Sequence, residues 1–510
     1  MRYSFVIDQN RCIGCHACTV ACKEEHDVPI GVNRTWVKYI EKGKFPNTSR
    51  HFAVLRCNHC DDAPCIEICP TVSLFRRPDG IVDFDKERCI GCKSCMLACP
   101  YDALYIDPNS NTAAKCNFCA HRVEVGLKPS CEVVCPTQAI ISGDLDDPAS
   151  KVSQIVAMQK VTVRKPEKGT RPKLFYVGVD GDLLQPTMME PQGSYLWAEK
   201  QPGKDLYALA KNKNGNSNGA ARVVYDVPHS QPWGRMIASY LWTKSVAAGA
   251  LLVAAFLLGI GHKEETLLLN VVSPALALIF TGLTTFLLVI DLKRPERFYY
   301  LLTKPNFRSW LVLGGIILMI YGLLASLWLL FGLIWSSVPK ALFWSSAILA
   351  VCSACYSAFL FAQAKGRDLW QSPLFLWHLL LQAITAGAAT LIIIGSILQT
   401  GSNVMDVLVK ILSISLFLSL AVMLGEIALT PISEDVKRAT DLLKKGSLSG
   451  KFWGLVVGLG ALLPFILIIW SGYQNGADHI LVSLASFLAL GGLWAFEDLW
   501  VKAGQAVPMS

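Results

Sequence analysis

Histidine is scarce in this chain, with nine among 510 residues. Beyond residue 236 only His378 lies well inside a long apolar run; His262 and His479 fall at run ends. A bis-histidine haem needs two imidazoles facing one another at matching depth, so haem is not expected. Cysteine nearly disappears from the same half, sixteen of the eighteen lying before residue 136. The basic residues are scattered and form no stripe, so nucleic acid is not expected as a partner. No export segment precedes Cys12, and an oxidising compartment with a disulfide framework is therefore not expected for the first half.

What the first half does have is four groups of four cysteines. Two read C-x2-C-x2-C-x3-C: Cys12, Cys15, Cys18, Cys22 and Cys89, Cys92, Cys95, Cys99. Two are stretched: Cys57, Cys60, Cys65, Cys69 and Cys116, Cys119, Cys131, Cys135. Each [4Fe–4S] cluster takes four thiolates, so these ligands match four clusters with none left over. Structural zinc uses separated C-x2-C knuckles. Three cysteines at three-residue steps instead wrap one loop around a cube corner, and the fourth reaches a neighbouring cluster. Pro70, Pro100 and Pro136 follow three of the four terminal cysteines, while Lys23 follows Cys22. Gly14, Ala17, Gly91 and Ser94 keep the loops small where backbone approaches sulfide. Spacing alone leaves two pairings open: groups one with two and three with four, or one with four and two with three. An oxidised cluster with its thiolates carries about −2, which roughly cancels the chain's positive side-chain charge.

The second half changes solvent. Runs of about 20 apolar residues, enough to cross about 30 Å of hydrocarbon, lie near 238–260, 267–290, 310–335, 341–363, 373–398, 406–429, 452–471 and 479–500. Pro274, Pro373 and Pro464 sit in these runs, where neighbouring helices can satisfy freed backbone groups. An all-α domain of eight spans follows, with two bundles expected rather than one. On the side shared by both ends the connections carry Lys293, Arg294, Arg297, Lys304, Arg308, Lys365, Arg367, Lys437, Arg438, Lys444, Lys445, Lys451 and Lys502. The other side shows Lys263 and Lys340. This asymmetry predicts an inner-membrane protein with its cysteine-rich domain on the cytoplasmic side. Between the halves, Val161–Arg164 and Lys173–Val179 read as short strands. Residues 211–221 read as a flexible linker, and Tyr225–Trp233 as a strap against the membrane face.

Residues 1–185 resemble the four-cluster subunit of molybdopterin oxidoreductases of the polysulfide and dimethyl sulfoxide reductase type. The cysteine groups carry the likeness, with the stretch GTRPKLFYV at 169–177. Residues 225–510 resemble the NrfD-type polysulfide reductase membrane subunit, on DLKRPERF at 291–298, RSW at 308–310, AGAA at 386–389 and AGQ at 503–505. The resemblance implies an α+β ferredoxin-like multi-cluster domain (1–185), a linker and strap (186–235) and an eight-helix membrane domain (236–510), two normally separate subunits in one chain. It further implies that one cluster takes Cys12, Cys15, Cys18 and Cys135, and its neighbour Cys22, Cys116, Cys119 and Cys131. The other pair would take Cys57, Cys60, Cys65 with Cys99, and Cys69 with Cys89, Cys92 and Cys95. No ligand is missing, so a three-iron cluster is not expected. Nothing in the chain resembles a pterin site, which implies a separate molybdenum or tungsten pterin catalytic subunit.

Without haem, a quinone, menaquinone or ubiquinone, is the expected partner of the clusters in the membrane. Its chemistry joins electrons to protons and needs a hydrogen-bond donor and a proton carrier beside an apolar slot. Ionisable groups inside spans are costly and default to functional candidates. Lys244 with Tyr240 one turn earlier, Asp291, His378 and Glu426 all fall towards the side where the clusters join, and are the predicted quinone-site residues. Lys244, His378 and Glu426 are the expected proton-handling groups. Two other readings stay open, a proton-translocating module using Asp406, Lys410 and Glu426, and a plain anchor passing electrons to another redox protein. Asp406 and Lys410 read first as a structural ion pair, Cys352 and Cys355 as helix packing. Glu497 and Asp498 are left without a role.

Overall fold

The computed structural model describes residues 1–44, 46–186, 221–262, 264–428, 431, 433–473 and 479–510. Tyr3–Asp8 buries Phe5, Val6 and Ile7 in succession, the signature of a strand covered on both faces. It pairs in parallel with Leu174–Val177 and antiparallel with Ile140–Asp144, and Val161–Thr162 adds an edge. The antiparallel register sets Ile7 opposite Ile140. Cys12, a few residues beyond one strand, is thereby brought to Cys135, a few residues before the other. A second sheet joins the hairpin Thr35–Lys44/Asn47–Arg56 to Arg222–Tyr225. The short helices Pro64–Ile68 and Ser94–Ala98 pack together, bringing the second and third cysteine groups into one unit. The strand expected to reach Arg164 stops at Thr162. Arg164 turns inward, is wholly buried, and donates to Tyr101 O at 3.5 Å and Met509 O at 3.1 Å.

Among the described residues eight helices are long and apolar enough to cross a membrane: Arg235–Gly259, Leu267–Ile290, Trp310–Trp335, Lys340–Ala362, Leu374–Ile397, Ser402–Ala428, Ser449–Gly472 and His479–Ala506. Two contain π-helical turns, Leu267–Val272 and Phe452–Leu462, and each runs directly into Pro274 or Pro464. Proline offers no N–H to the preceding turn, which widens to i+5 hydrogen bonds. Pro373 instead stands at the N-cap of the fifth span. Spans one to four close one bundle and five to eight another. The bundles meet where the first and fifth spans cross, glycine on glycine. A Cβ on Gly249 would lie 1.8 Å from Ala383 O, and one on Gly387 would strike the Gly249 backbone. Small residues allow that approach, where van der Waals packing drives helix association.

The cysteine-rich domain sits on the face that carries most of the positive connections. Lys168 pairs with Asp368, and Asp368 also accepts from the Ser433 hydroxyl at 2.8 Å. Residues 187–220, with most of the proposed linker, lie outside the described residues. The strap begins as strand Arg222–Tyr225 in the N-terminal sheet and ends at Trp233. Gln505 of the last span grips Trp233 twice, accepting from its N–H at 3.0 Å and donating to its carbonyl at 2.8 Å. Midway, His229 lies between Asp102 and Asp226. Burial pushes its pKa down, but hydrogen bonds to the two carboxylates outweigh it and lift it to about 9.

Two outcomes follow. Gly249→Val forces backbone apart at the bundle crossing and is expected to lower thermal stability by about 1–3 kcal/mol or more, whereas Gly282→Ala, which meets open space, is expected to be silent. Because His229 is raised above its unfolded value, its contribution to strap docking is complete below about pH 6.5 and is lost as pH climbs through about 9. Hydrogen exchange over 222–233, corrected for intrinsic rates, is expected to accelerate across that window, and His229→Gln to abolish the acceleration.

Candidate electron-transfer and quinone site

The fold gathers the sixteen cysteines into four quartets. Cys12, Cys15, Cys18 and Cys135 line one cavity and Cys69, Cys89, Cys92 and Cys95 another. Cys22 faces Cys116, Cys119 and Cys131, and Cys60 and Cys65 face Cys57 and Cys99. Among the described residues no three such ligands converge tightly enough for a single metal ion. Burial pushes the thiols of Cys18 and Cys99 up to about 11 and those of Cys92 and Cys119 up to about 12, with neighbouring cysteines adding to the rise. Such thiols ionise only against a compensating cationic core. This donor set and its depth fit a cube of iron and sulfide.

The quartets form a row. Cys18 of the first faces Cys131 of the second, Cys116 of the second faces Cys57 of the third, and Cys95 of the fourth faces Cys65 of the third. Cys15 is exposed at the outer end, whereas every cysteine of the second and third quartets is buried. The loops turn through left-handed backbone at Gly14 and His16, and again at Gly91 and Lys93. Gly91 meets a second demand, since a Cβ there would lie 2.5 Å from Lys293 Cβ of the membrane half. Its lack of a side chain serves docking as well as the loop.

The fourth quartet rests on the membrane half. The N–H of Arg294 donates to Ile90 O at 3.2 Å and that of Lys293 to Gly91 O at 3.3 Å. Arg297 donates to Cys89 O at 3.1 Å, Asn306 to Cys69 O at 2.8 Å, Ser309 to Ile68 O at 2.7 Å, and Trp233 to Cys92 O at 3.5 Å. Lys93, between Cys92 and Cys95, pairs with Asp291 at 2.8 Å.

Beneath it lies a buried polar cluster. Lys244 Nζ donates to Ala354 O at 2.9 Å and Ser357 Oγ at 2.7 Å, 4.8 Å from the centre of the Tyr356 ring. Ser357 Oγ is 3.4 Å from the Tyr240 hydroxyl. Glu497 of the eighth span, 4% exposed, faces both Lys244 and Tyr240, and Tyr240 also faces Asp291. Of the predicted residues, Tyr240, Lys244 and Asp291 thus come together. His378 is one step removed, stacked at 4.4 Å on Phe496 with Nδ1 lacking a partner. Glu426 lies beside Ser372 with Oε1 unpartnered. Glu497 and Ser357 were missed. The eighth span was expected to end near 500, which left Glu497 near a helix end without a role; it runs to Ala506 and carries Glu497 inside. Ser357 had no signal beyond its helical run.

Residues 224–508 match the family Polysulphide reductase, NrfD. Residues 49–145 match a 4Fe-4S dicluster domain and residues 3–24 a 4Fe-4S binding domain. A subunit of the tetrathionate reductase of Salmonella typhimurium is 42% identical over 202 residues, 39% of this chain and 80% of that protein. A subunit of the polysulfide reductase of Wolinella succinogenes is 40% identical over 179 residues, 34% of this chain and 94% of its own. The arsenate respiratory reductase iron-sulfur subunit ArrB of Shewanella sp. (strain ANA-3) is 35% identical over 227 residues, 35% of this chain and 96% of its own.

Removing one partner of a buried ion pair costs about 3–5 kcal/mol, because the other charge stays behind. Asp291→Asn is accordingly expected to lower thermal stability and speed hydrogen exchange over residues 89–95, with Asp291→Glu restoring most of both.

Proposed function

This protein belongs to the NrfD polysulphide reductase family and carries 4Fe-4S domains in the same polypeptide; on that premise we propose that it relays electrons between a catalytic partner subunit and a quinone in the membrane. The observation that carries this reading is the group of polar side chains gathered under the fourth quartet: Lys93 pairs with Asp291, Lys244 and Tyr240 meet at Ser357, and Glu497 faces both of them. The four quartets would hold four [4Fe–4S] clusters, with the ligand sets that the sequence resemblance implies. When bound, these supply one-electron transfer along the row.

Quinone reduction takes up two electrons and two protons. Lys244 and Tyr240 would bind a quinone oxygen as charged and neutral donors, Lys244 being held in place by Ser357 and the Ala354 carbonyl. Glu497, facing both, would hold the proton that the oxygen needs and take it back when quinol is oxidised. His378, on the far side of Phe496, would bound the apolar slot, and Glu426 would hold a proton near its mouth. Asp291 keeps Lys93 neutralised and so couples the pocket to the fourth quartet. Menaquinone and ubiquinone both satisfy this chemistry.

At the outer end, exposed Cys15 is accompanied by exposed Ile13, Val20, Val133 and Met158. A cavity of about 710 Å³ opens there, lined in part by Arg11, Glu132, Cys135 and Lys151. This face suits a catalytic partner, a molybdenum or tungsten pterin enzyme, which would carry the substrate chemistry. The relatives serve tetrathionate, polysulfide and arsenate reductases by name, and the substrate class follows the partner rather than this chain. The positive connections support an inner membrane with the clusters on the cytoplasmic side.

The test uses anaerobically purified protein reduced with dithionite and freed of excess reductant. A menaquinone or ubiquinone analogue is then added and cluster reoxidation followed optically and by EPR. Reoxidation is expected to saturate, and Lys244→Ala and Glu497→Gln to slow it about 100-fold, within the range of a positioned acid or base, with clusters intact. Reoxidation that does not saturate, or ignores both variants, overturns the quinone site and leaves an anchor serving another redox protein.

A further inference from the structure

Arg56 closes the strand Asn47–Arg56 directly before Cys57, and that strand's register carries its side chain into the interior. It is wholly buried. Nη1 donates to Cys131 Sγ at 3.0 Å, and the guanidinium carbon lies 4.6 Å over the ring of Phe5, in the central strand. The same group faces Cys18 of the first quartet and Cys22 and Cys116 of the second. Its Nε and Nη2 find no acceptor among the described residues. A buried cation with two orphaned donors and a single thiol contact bears a heavy desolvation cost unless anionic groups face it.

The other buried cations near the row are satisfied differently. Lys115 donates to the carbonyls of Val82 and Cys116. Lys93 has the Asp291 carboxylate. Arg56 stands between the first two quartets with two donors unpartnered among the described residues.

We infer that Arg56 is a shared counter-charge for the first two quartets, a positioning residue that raises the reduction potentials of both clusters they would hold. The inference rests on reading those quartets as cluster sites. A thiolate quartet closed on its core is anionic, and becomes more so by one charge on reduction. A fixed cation and N–H···S hydrogen bonds favour the reduced form, and local charge and hydrogen bonding to sulfur set cluster potentials. Arg56 therefore biases electrons towards the outer half of the row, away from the fourth quartet, whose nearby Lys93 is neutralised by Asp291. It also lessens the repulsion between two neighbouring reduced clusters.

The experiment is an EPR-monitored redox titration of the full chain, with iron and sulfide content, for wild type, Arg56→Gln and Arg56→Lys. In Arg56→Gln two of the four midpoint potentials are expected to fall clearly and the other two to stay near wild type. Arg56→Lys, which keeps the charge but not the fork, is expected to hold all four near wild type. Four assembled clusters whose midpoints are unmoved in Arg56→Gln, or all moved alike, overturn the role of Arg56 and leave the cluster reading standing. Should Arg56→Gln fail to assemble, Arg56→Met, which keeps the bulk without the charge, decides: two midpoints fallen with the other two held support the inference, and four midpoints held overturn it. Wild-type protein with fewer than four cubes of iron and sulfide removes the cluster reading itself, and the inference with it.

Discussion

The structure depends on the register of one short strand. Tyr3–Asp8 runs antiparallel to Ile140–Asp144 and parallel to Leu174–Val177, and both pairings span more than a hundred residues of chain. Without them Cys12 and Cys135 would have no reason to meet, and the first quartet would not close. Everything nested inside is secondary to that closure: the stacking of Phe5 on Phe118 at 4.0 Å, the position of Arg56 over Phe5, and the burial that makes the thiols poor acids until a core compensates them. A loop-closure cost of this size is offset only by buried apolar area. Phe5, Val6 and Ile7, each at most 1% exposed, supply part of it.

The membrane half meets the same constraint from the other side. Its positively charged connections carry the docking chemistry as well as the topology. The stretch 291–298 wraps the Cys89–Cys95 loop, Ser309 caps the Ile68 carbonyl, Gly387 allows the bundles to cross, and Gln505 clamps the strap. A Cβ on Gly504 would lie 2.2 Å from Trp370 Nε1. The motifs that first suggested a membrane redox subunit are, in the fold, mostly contacts that hold the fourth quartet over Tyr240 and Lys244.

Local features of this arrangement were legible in the sequence, because cysteine spacing and runs of apolar residues are local signals. The eight spans follow directly from length and composition. The choice between the two ways of pairing cysteine groups was not legible from spacing, since it turns on sheet pairing between distant segments. Depth was also hard to read. Glu497 was left without a role because the last helix continues past the point where its apolar run fades. Asp291 was identified as a pocket residue, yet a lysine more than 190 positions earlier holds its carboxylate. Arg56 gave no sign at all, as an arginine beside a cysteine carries no information until its strand turns it inward.

The strap has an optical consequence. Trp233 stacks on Trp370 at 5.5 Å and continues through Phe361, Phe375 and Trp500 to Phe496 and His378. Its indole also donates to the carbonyl of Cys92. An iron–sulfur cluster held behind that carbonyl would absorb where tryptophan emits and quench the whole stack by energy transfer. A rise in ultraviolet fluorescence then marks any separation of the cysteine-rich domain from the bundles, with no label attached. With a cluster in that quartet, the protein would carry a built-in gauge of its own docking.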